Sequence, residues 1–173
     1  MNVIKRLHEK KQSLYASIEK RYSCSHTHRE LRCRTIKDGR TAYYKQCTRC
    51  GNAGQAVAFK TVTFEIGNTD IPNFDDNIEF LRAKAKSDEY SFAANEINRE
   101  FHLIYKDHLQ SDLWKTKRTL VLLRARDMCE ECKTSEAVEV HHKTYENLCS
   151  EPLEDLMAVC RFCHGFLHGK IKF

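Results

Sequence analysis

Six of the nine cysteines in this chain stand in three C-x-x-C pairs, Cys47/Cys50, Cys129/Cys132 and Cys160/Cys163. Close thiol pairs bind metal or do redox chemistry in a reducing compartment, and three pairs beside nine histidines favour metal. The last two pairs are separated by 27 residues. Each can form a knuckle that holds two thiolates ~2.3 Å from a zinc ion, and four sulfurs close the tetrahedron. Cys129, Cys132, Cys160 and Cys163 therefore read as a structural zinc site.

Histidines crowd the same segment. His164 directly follows Cys163, and His168 comes four residues later. On a helix these two project from one face, ~6 Å apart, and can chelate one ion. A third imidazole from outside the helix would leave coordination positions open for water and substrate, which defines a catalytic site. His141 or His142 can supply it. Neighbours on a strand point to opposite sides, so one can face the ion while the other faces a nearby water. A neutral imidazole with a pKa of ~6.5 can take a proton from that water.

The run His141-His142, Tyr145, Glu151, Asp155-Leu156, then Cys160-x2-Cys163-His164-x3-His168 resembles the HNH endonuclease family and its ββα-metal fold. The resemblance covers about residues 105–169, and the stretch before Cys129 is similar to the helix preceding the first zinc pair in phage-encoded members. It implies that His141 ligates the catalytic metal, that His142 is the general base, and that His164 is a ligand. His168 would be an additional ligand, as in the colicin-type nucleases, whose spacing it shares. Asp155 takes the place of the middle letter and would fix the loop between the strands; its carboxylate could also sit near the metal. Cys149 stands where a loop glycine is commoner, and reads as an unliganded thiol. The implied reaction is hydrolysis of DNA phosphodiester bonds to 3′-hydroxyl and 5′-phosphate ends. His142 would activate the water, and one divalent metal would steady the charge that grows on the scissile phosphate. Three imidazoles suit Zn, Ni or Co by affinity, while Mg or Mn can act by availability.

A second metal module is expected near the N-terminus. Cys24, His26, Cys47 and Cys50 form C-x-H, 20 residues, then C-x2-C around a hairpin, and resemble a zinc ribbon. His28 and Cys33 compete for the less certain ligand positions. Arg32, Arg34, Lys37, Arg40, Lys45 and Arg49 cluster on the same unit with Tyr43 and Tyr44 interleaved. Such a face would contact DNA phosphates with salt-sensitive affinity. The other use of this unit is as a protein-interaction module.

Several elements must position these groups. Ile4, Leu7, Leu14 and Ile18 predict a helix over 3–20. Residues 31–47 alternate and turn at Asp38-Gly39, a hairpin signal. A further strand is expected at 56–66, then a loop at 67–77 broken by Pro72. Two helical stripes follow, one through Ile78, Leu81 and Ala85. The other runs through Tyr90, Ala93, Ile97, Phe101 and Ile104, with a cap at Ser87. Ser111-Asp112 opens a helix to about Arg126 that would bury Trp114, Val121 and Ala125.

The expected fold class is α+β, in three parts. These are an N-terminal helix plus zinc-ribbon-like module at 1–70, a helical connecting region at 75–110, and a nuclease domain at 111–173. The 173 residues carry a net charge of +5. Residues 1–60 hold 14 Lys/Arg against 4 Asp/Glu, a footprint for a polyanion. No apolar run approaches membrane length, and the charged N-terminus lacks a signal core. The expectation is a cytoplasmic protein, in the bacterial host if phage-encoded, with DNA as partner and no membrane. Two structural zincs and one catalytic divalent metal are the expected cofactors. The rival reading is a non-catalytic, zinc-containing DNA-binding regulator with an HNH-like fold.

Overall fold

A computed structural model describes residues 2–66 and 70–170. It is α+β, with helices and two small antiparallel sheets. In chain order come α1 (Val3–Tyr22), β1 (Arg29–Thr35), β2 (Thr41–Cys47), α2 (Phe59–Ile66), α3 (Asp76–Gln110) and α4 (Asp112–Arg124). The chain then forms β3 (Glu139–His142), a 3-10 turn (Leu153–Asp155), β4 (Leu156–Val159) and α5 (Arg161–Leu167). No helix among the described residues is long and apolar enough to cross a membrane. The chain divides into two compact units, one of residues 1–13 with 94–173 and one of 14–93. These boundaries differ from the three consecutive parts expected, because α1 and α3 each contribute to both units.

In the unit of residues 14–93, β1 and β2 pair from Arg29↔Cys47 to Thr35↔Thr41. Gly39 in the connecting turn has φ +83, a conformation that costs glycine nothing. The strand expected at 56–66 is instead α2. Within 56–66, Val57 alone bridges to the hairpin among the described residues, its amide donating to the Tyr43 carbonyl at 2.8 Å. The amides of Thr61 and Val62 then turn back to the Ala58 carbonyl, and Val62 is buried. Phe59 and Val62 stand three apart, so the apolar run fits a helix as well as a strand. Of the loop expected at 67–77, residues 67–69 lie outside the described residues, and the chain is irregular from Asp70 to Asp75.

The two helices expected between 75 and 110 are one, α3, which runs through Ser87 without a break. Its second expected stripe is real: Ala93 and Ile97 are buried, and Tyr90, Phe101 and Ile104 are partly so. The first is not: Leu81 is exposed, while Arg82, Lys86 and Glu89 occupy the more sheltered positions. Here α3 meets α1 through polar groups, Lys86 with Glu19 and Glu89 with Arg21. A charged seam carries no apolar periodicity to read.

In the other unit, Ser111 caps α4 as expected, its hydroxyl accepting from the Trp114 amide at 3.1 Å. The core is Trp114, Val121, Ala137, Val140, Leu156 and Ala158. β3 and β4 pair antiparallel from Glu139↔Val159 to His142↔Leu156. Glu130 fastens this hairpin from below. Its carboxylate accepts from the Ala158 amide at 2.7 Å and from Arg124 at 2.8 Å.

Candidate metal centre

Three groups of Cys and His foreseen in the sequence come together: Cys24/His26/Cys47/Cys50, Cys129/Cys132/Cys160/Cys163 and His141/His164/His168. Within each, the ligand atoms all lie within 4.8 Å of one another.

The first group is built on the hairpin. Cys47 ends β2, and the Gly51 amide returns to its carbonyl at 2.8 Å, closing the knuckle. Gly51 has φ +76, and a Cβ there would stand 2.5 Å from the Glu79 amide nitrogen, so only glycine fits. Two sulfurs on a tetrahedral zinc lie ~3.75 Å apart, and Cys24 Sγ is 3.7 Å from Cys47 Sγ. His26 approaches through Nδ1, 3.2 Å from Cys50 Sγ. The competing candidates fall outside: Cys33 sits in mid-strand near the Ile71 carbonyl, and His28 is not in the group. Burial opposes the Cys47 thiolate, but the amides of Arg49 and Cys50 and the His26 ring outweigh it and bring its pKa to about 6.

The second group spans both C-x-x-C knuckles of the other unit. Lys133 returns its amide to the Cys129 carbonyl at 2.9 Å with φ 57, the position held by Gly51 in the first knuckle. Cys160 is the N-cap of α5, and its sulfur accepts from the Cys163 amide at 3.4 Å. Four thiols this close cannot all ionise alone. Hydrogen bonds from Thr134 hold Cys132 at about 5, while burial and its three sulfur neighbours push Cys163 up to about 12. A zinc ion removes that conflict, since it binds all four as thiolates. Both groups can hold structural zinc.

The third group contains no thiol. His141 lies on the strand, and His164 and His168 lie on one face of α5 and its C-cap, with the His168 amide on the His164 carbonyl. Their Nε2 atoms are 3.1 Å apart, against ~3.3 Å for nitrogens on a tetrahedral zinc. Glu139 Oε2 accepts from His164 Nδ1. That bond puts the proton on Nδ1 and leaves the Nε2 lone pair aimed at His168. His141 Nδ1 is buried and has no hydrogen-bond partner. Burial, then repulsion from the other imidazoles, lowers the pKa of His141; burial and His164 do the same for His168. Two rings that resist protonation, a third held by a carboxylate through Nδ1, and an orphaned buried nitrogen fit a divalent cation.

His142 is elsewhere. Alternation along β3 turns Glu139 and His141 to one side and Val140 and His142 into the core. The His142 side chain is 1% exposed, its ring stacked on Trp114 at 4.7 Å and on Tyr145 at 5.3 Å. Its Nε2 is 3.2 Å from Glu151 Oε1, which also receives His108 Nε2 from α3. Lys117 donates to the Glu151 carbonyl at 2.6 Å and stands 3.4 Å from the other carboxylate oxygen. His108, His142 and Glu151 also lie close enough to share an ion. However, two imidazoles and one ammonium already satisfy that carboxylate. The expectation that His142 looks at a water beside the ion is corrected here, because in this structure its ring is walled in by two aromatic faces.

Asp155 likewise stays off the histidine centre. Its Oδ2 accepts from Asn147 Nδ2 at 3.0 Å and its carbonyl from the Lys143 amide at 2.8 Å, so it staples the loop between β3 and β4. Cys149, on that loop, has φ 72. Among the basic residues expected to meet DNA, Arg32, Arg34 and Arg40 have partners within the hairpin unit. Arg32 bonds Glu30 and the Asn73 carbonyl, Arg34 pairs with Asp76 and lies over Tyr44 and Phe74, and Arg40 pairs with Asp38.

Sequence reasoning missed Glu139, His108 and Lys117 as partners of these centres. Glu139 carried a signal, since it stands two before His141 on a strand; the other two are distant in sequence and carried none. No protein-family model matches the chain, and neither does any curated protein or solved structure.

Proposed function

We propose that this protein is a metal-dependent HNH-type endonuclease that hydrolyses DNA phosphodiester bonds. The carrying observation is the His141/His164/His168 centre. It presents three imidazoles and no fourth protein ligand among the described residues, beside a four-cysteine cluster that anchors the same short helix. Three ligands leave positions for substrate, whereas four close a site. The β3–β4–α5 arrangement is what a ββα-metal nuclease would need: two strands deliver one histidine and the helix delivers two.

His141, His164 and His168 would hold a divalent ion, whose chemistry there would be Lewis-acid stabilisation of charge on the phosphate. The chain's own groups do the rest. His141, His164 and His168 orient, Glu139 holds the His164 tautomer, and Asp155 fixes the intervening loop. The bond to Glu151 would put the His142 proton on Nε2, so Nδ1 is the atom that would accept a proton. Zn, Ni or Co suit the imidazole set. DNA contacts fall to basic residues of the hairpin unit not engaged within it, such as Lys37.

The test is supercoiled plasmid incubated with the full chain across a series of divalent ions, with the ends mapped. Cleavage that leaves 3′-hydroxyl and 5′-phosphate ends, and that disappears in His141→Ala and His164→Ala, is expected. Binding of DNA without cleavage in every ion would falsify the hydrolase reading. It would favour the second one, a DNA-binding regulator of HNH-like build, for which the burial of His142 speaks.

A further inference from the structure

We infer that Glu139 is the positioning residue of the histidine centre, and that it tunes this centre for an ion that prefers imidazole nitrogen, of the zinc, cobalt or nickel class. The inference rests on the metal-centre reading above and makes Glu139 the group that sets its preference among ions.

β3 is only four residues long, and its alternation sends Glu139 and His141 to the same side. α5 brings His164 against that side, where its Nδ1 meets the Glu139 carboxylate. One strand thus contributes two functions two residues apart: a ligand, and the group that orients a ligand from another element. Without the carboxylate, His164 could carry its proton on either nitrogen. Half of that freedom would put an N–H where the ion belongs, facing His168 Nε2 at 3.1 Å.

Charge gives the second argument. Three neutral imidazoles leave a divalent ion with its full +2. A carboxylate on the far side of His164 offsets one unit and makes that ring a stronger donor. Among the described residues no carboxylate oxygen joins the three ligand atoms themselves. Magnesium and calcium demand oxygen ligands; borderline ions accept nitrogen. The carboxylate therefore acts through the ring and leaves the inner sphere to nitrogen.

The test uses the full chain with both thiolate clusters zinc-filled. A chromogenic chelator competes for the one further zinc ion. Nitrogen-15 NMR reads the His164 tautomer in the absence of that ion. Wild type is expected to bind one exchangeable zinc, undiminished by millimolar magnesium, and to show the Nδ1–H form of His164. Glu139→Gln is expected to mix the tautomers and weaken that zinc 10–100-fold, with the thiolate zincs retained. A His164 ring in the Nε2–H form in wild type overturns the inference, and needs no variant to see. So does an affinity in Glu139→Gln within twofold of wild type, or displacement of zinc by magnesium. If wild type binds no further zinc, the metal-centre reading falls as well. If Glu139→Gln loses zinc as expected and no DNA is ever cut, only the nuclease reading falls.

Discussion

His141 and His142 share a peptide bond and serve different interiors. One faces His164 and His168; the other is pressed between Trp114 and Tyr145 and held by Glu151. Their alanine variants should therefore fail in different ways. His141→Ala keeps its urea midpoint when no exchangeable ion is supplied, and no longer binds that ion. His142→Ala opens a cavity and strips a buried carboxylate of a donor, at a cost of about 3–5 kcal/mol. Urea denaturation beside metal analysis separates the two.

Glu151 and Lys117 form a buried pair, with 1% and 15% of their side chains exposed. Lys117→Met should cost about 3–5 kcal/mol, since it leaves the carboxylate without its cation. The effect depends on pH with a definite sign. Burial opposes the Glu151 carboxylate, but its own amide and the two imidazoles prevail, and its pKa lies below the ordinary 4.5. Its stabilisation is present above ~4.5 and is lost as pH falls through the lower folded value. His142 adds to the acid side, because burial lowers its pKa despite Glu151. The unfolded ring gains a proton near ~6.5 while the folded one resists, so stability declines as pH drops below that point. Glu151→Gln should flatten the limb below 4.5 in a series of denaturation curves.

Release of the exchangeable ion should come at lower pH than free imidazole would predict. His141 and His168 are both depressed below 6.5, by burial first and by neighbouring imidazoles next. Protons compete with the ion only when they can bind these rings. Proton competition at His141 and His168 should therefore set in below the ordinary imidazole range, and zinc affinity should fall as pH drops through their lowered values. Chelator competition at half-unit pH steps measures the break.

Cys149 sits at φ 72 in the loop between β3 and β4. A side chain there costs about 1–2 kcal/mol relative to a right-handed conformation. Part of that is returned because glycine is freer in the unfolded chain. Cys149→Gly should raise stability by about 0.5–1 kcal/mol, read as an increase in thermal midpoint with metal content unchanged.

The histidine centre and the cysteine clusters were legible because ligand spacing is local: Cys160-x2-Cys163-His164-x3-His168 lies in one turn-and-helix. Ser111 and the hairpin turn were legible for the same reason. The partners of the ligands were not. His108 lies 43 residues from Glu151, and Lys117 34 residues, so only tertiary packing brings them together. The helix at 59–66 was misread as a strand because eight residues of mixed apolar pattern suit either period, and the hairpin edge offers it a single bridge. The break expected at Ser87 failed because Ser, Asp and Glu tolerate a helix interior when a charged seam supports it. Alternation along β3 foretold that His141 and His142 diverge, but not that a lid of two aromatic rings waits on the inner side.

α5 is seven residues long, and it begins at a sulfur of one cluster and ends at an imidazole of the other. Two turns are too few to persist unaided in water. A zinc ion held by the four sulfurs would therefore pin the start of this short helix, and through it the spacing of His164 and His168 at its far end.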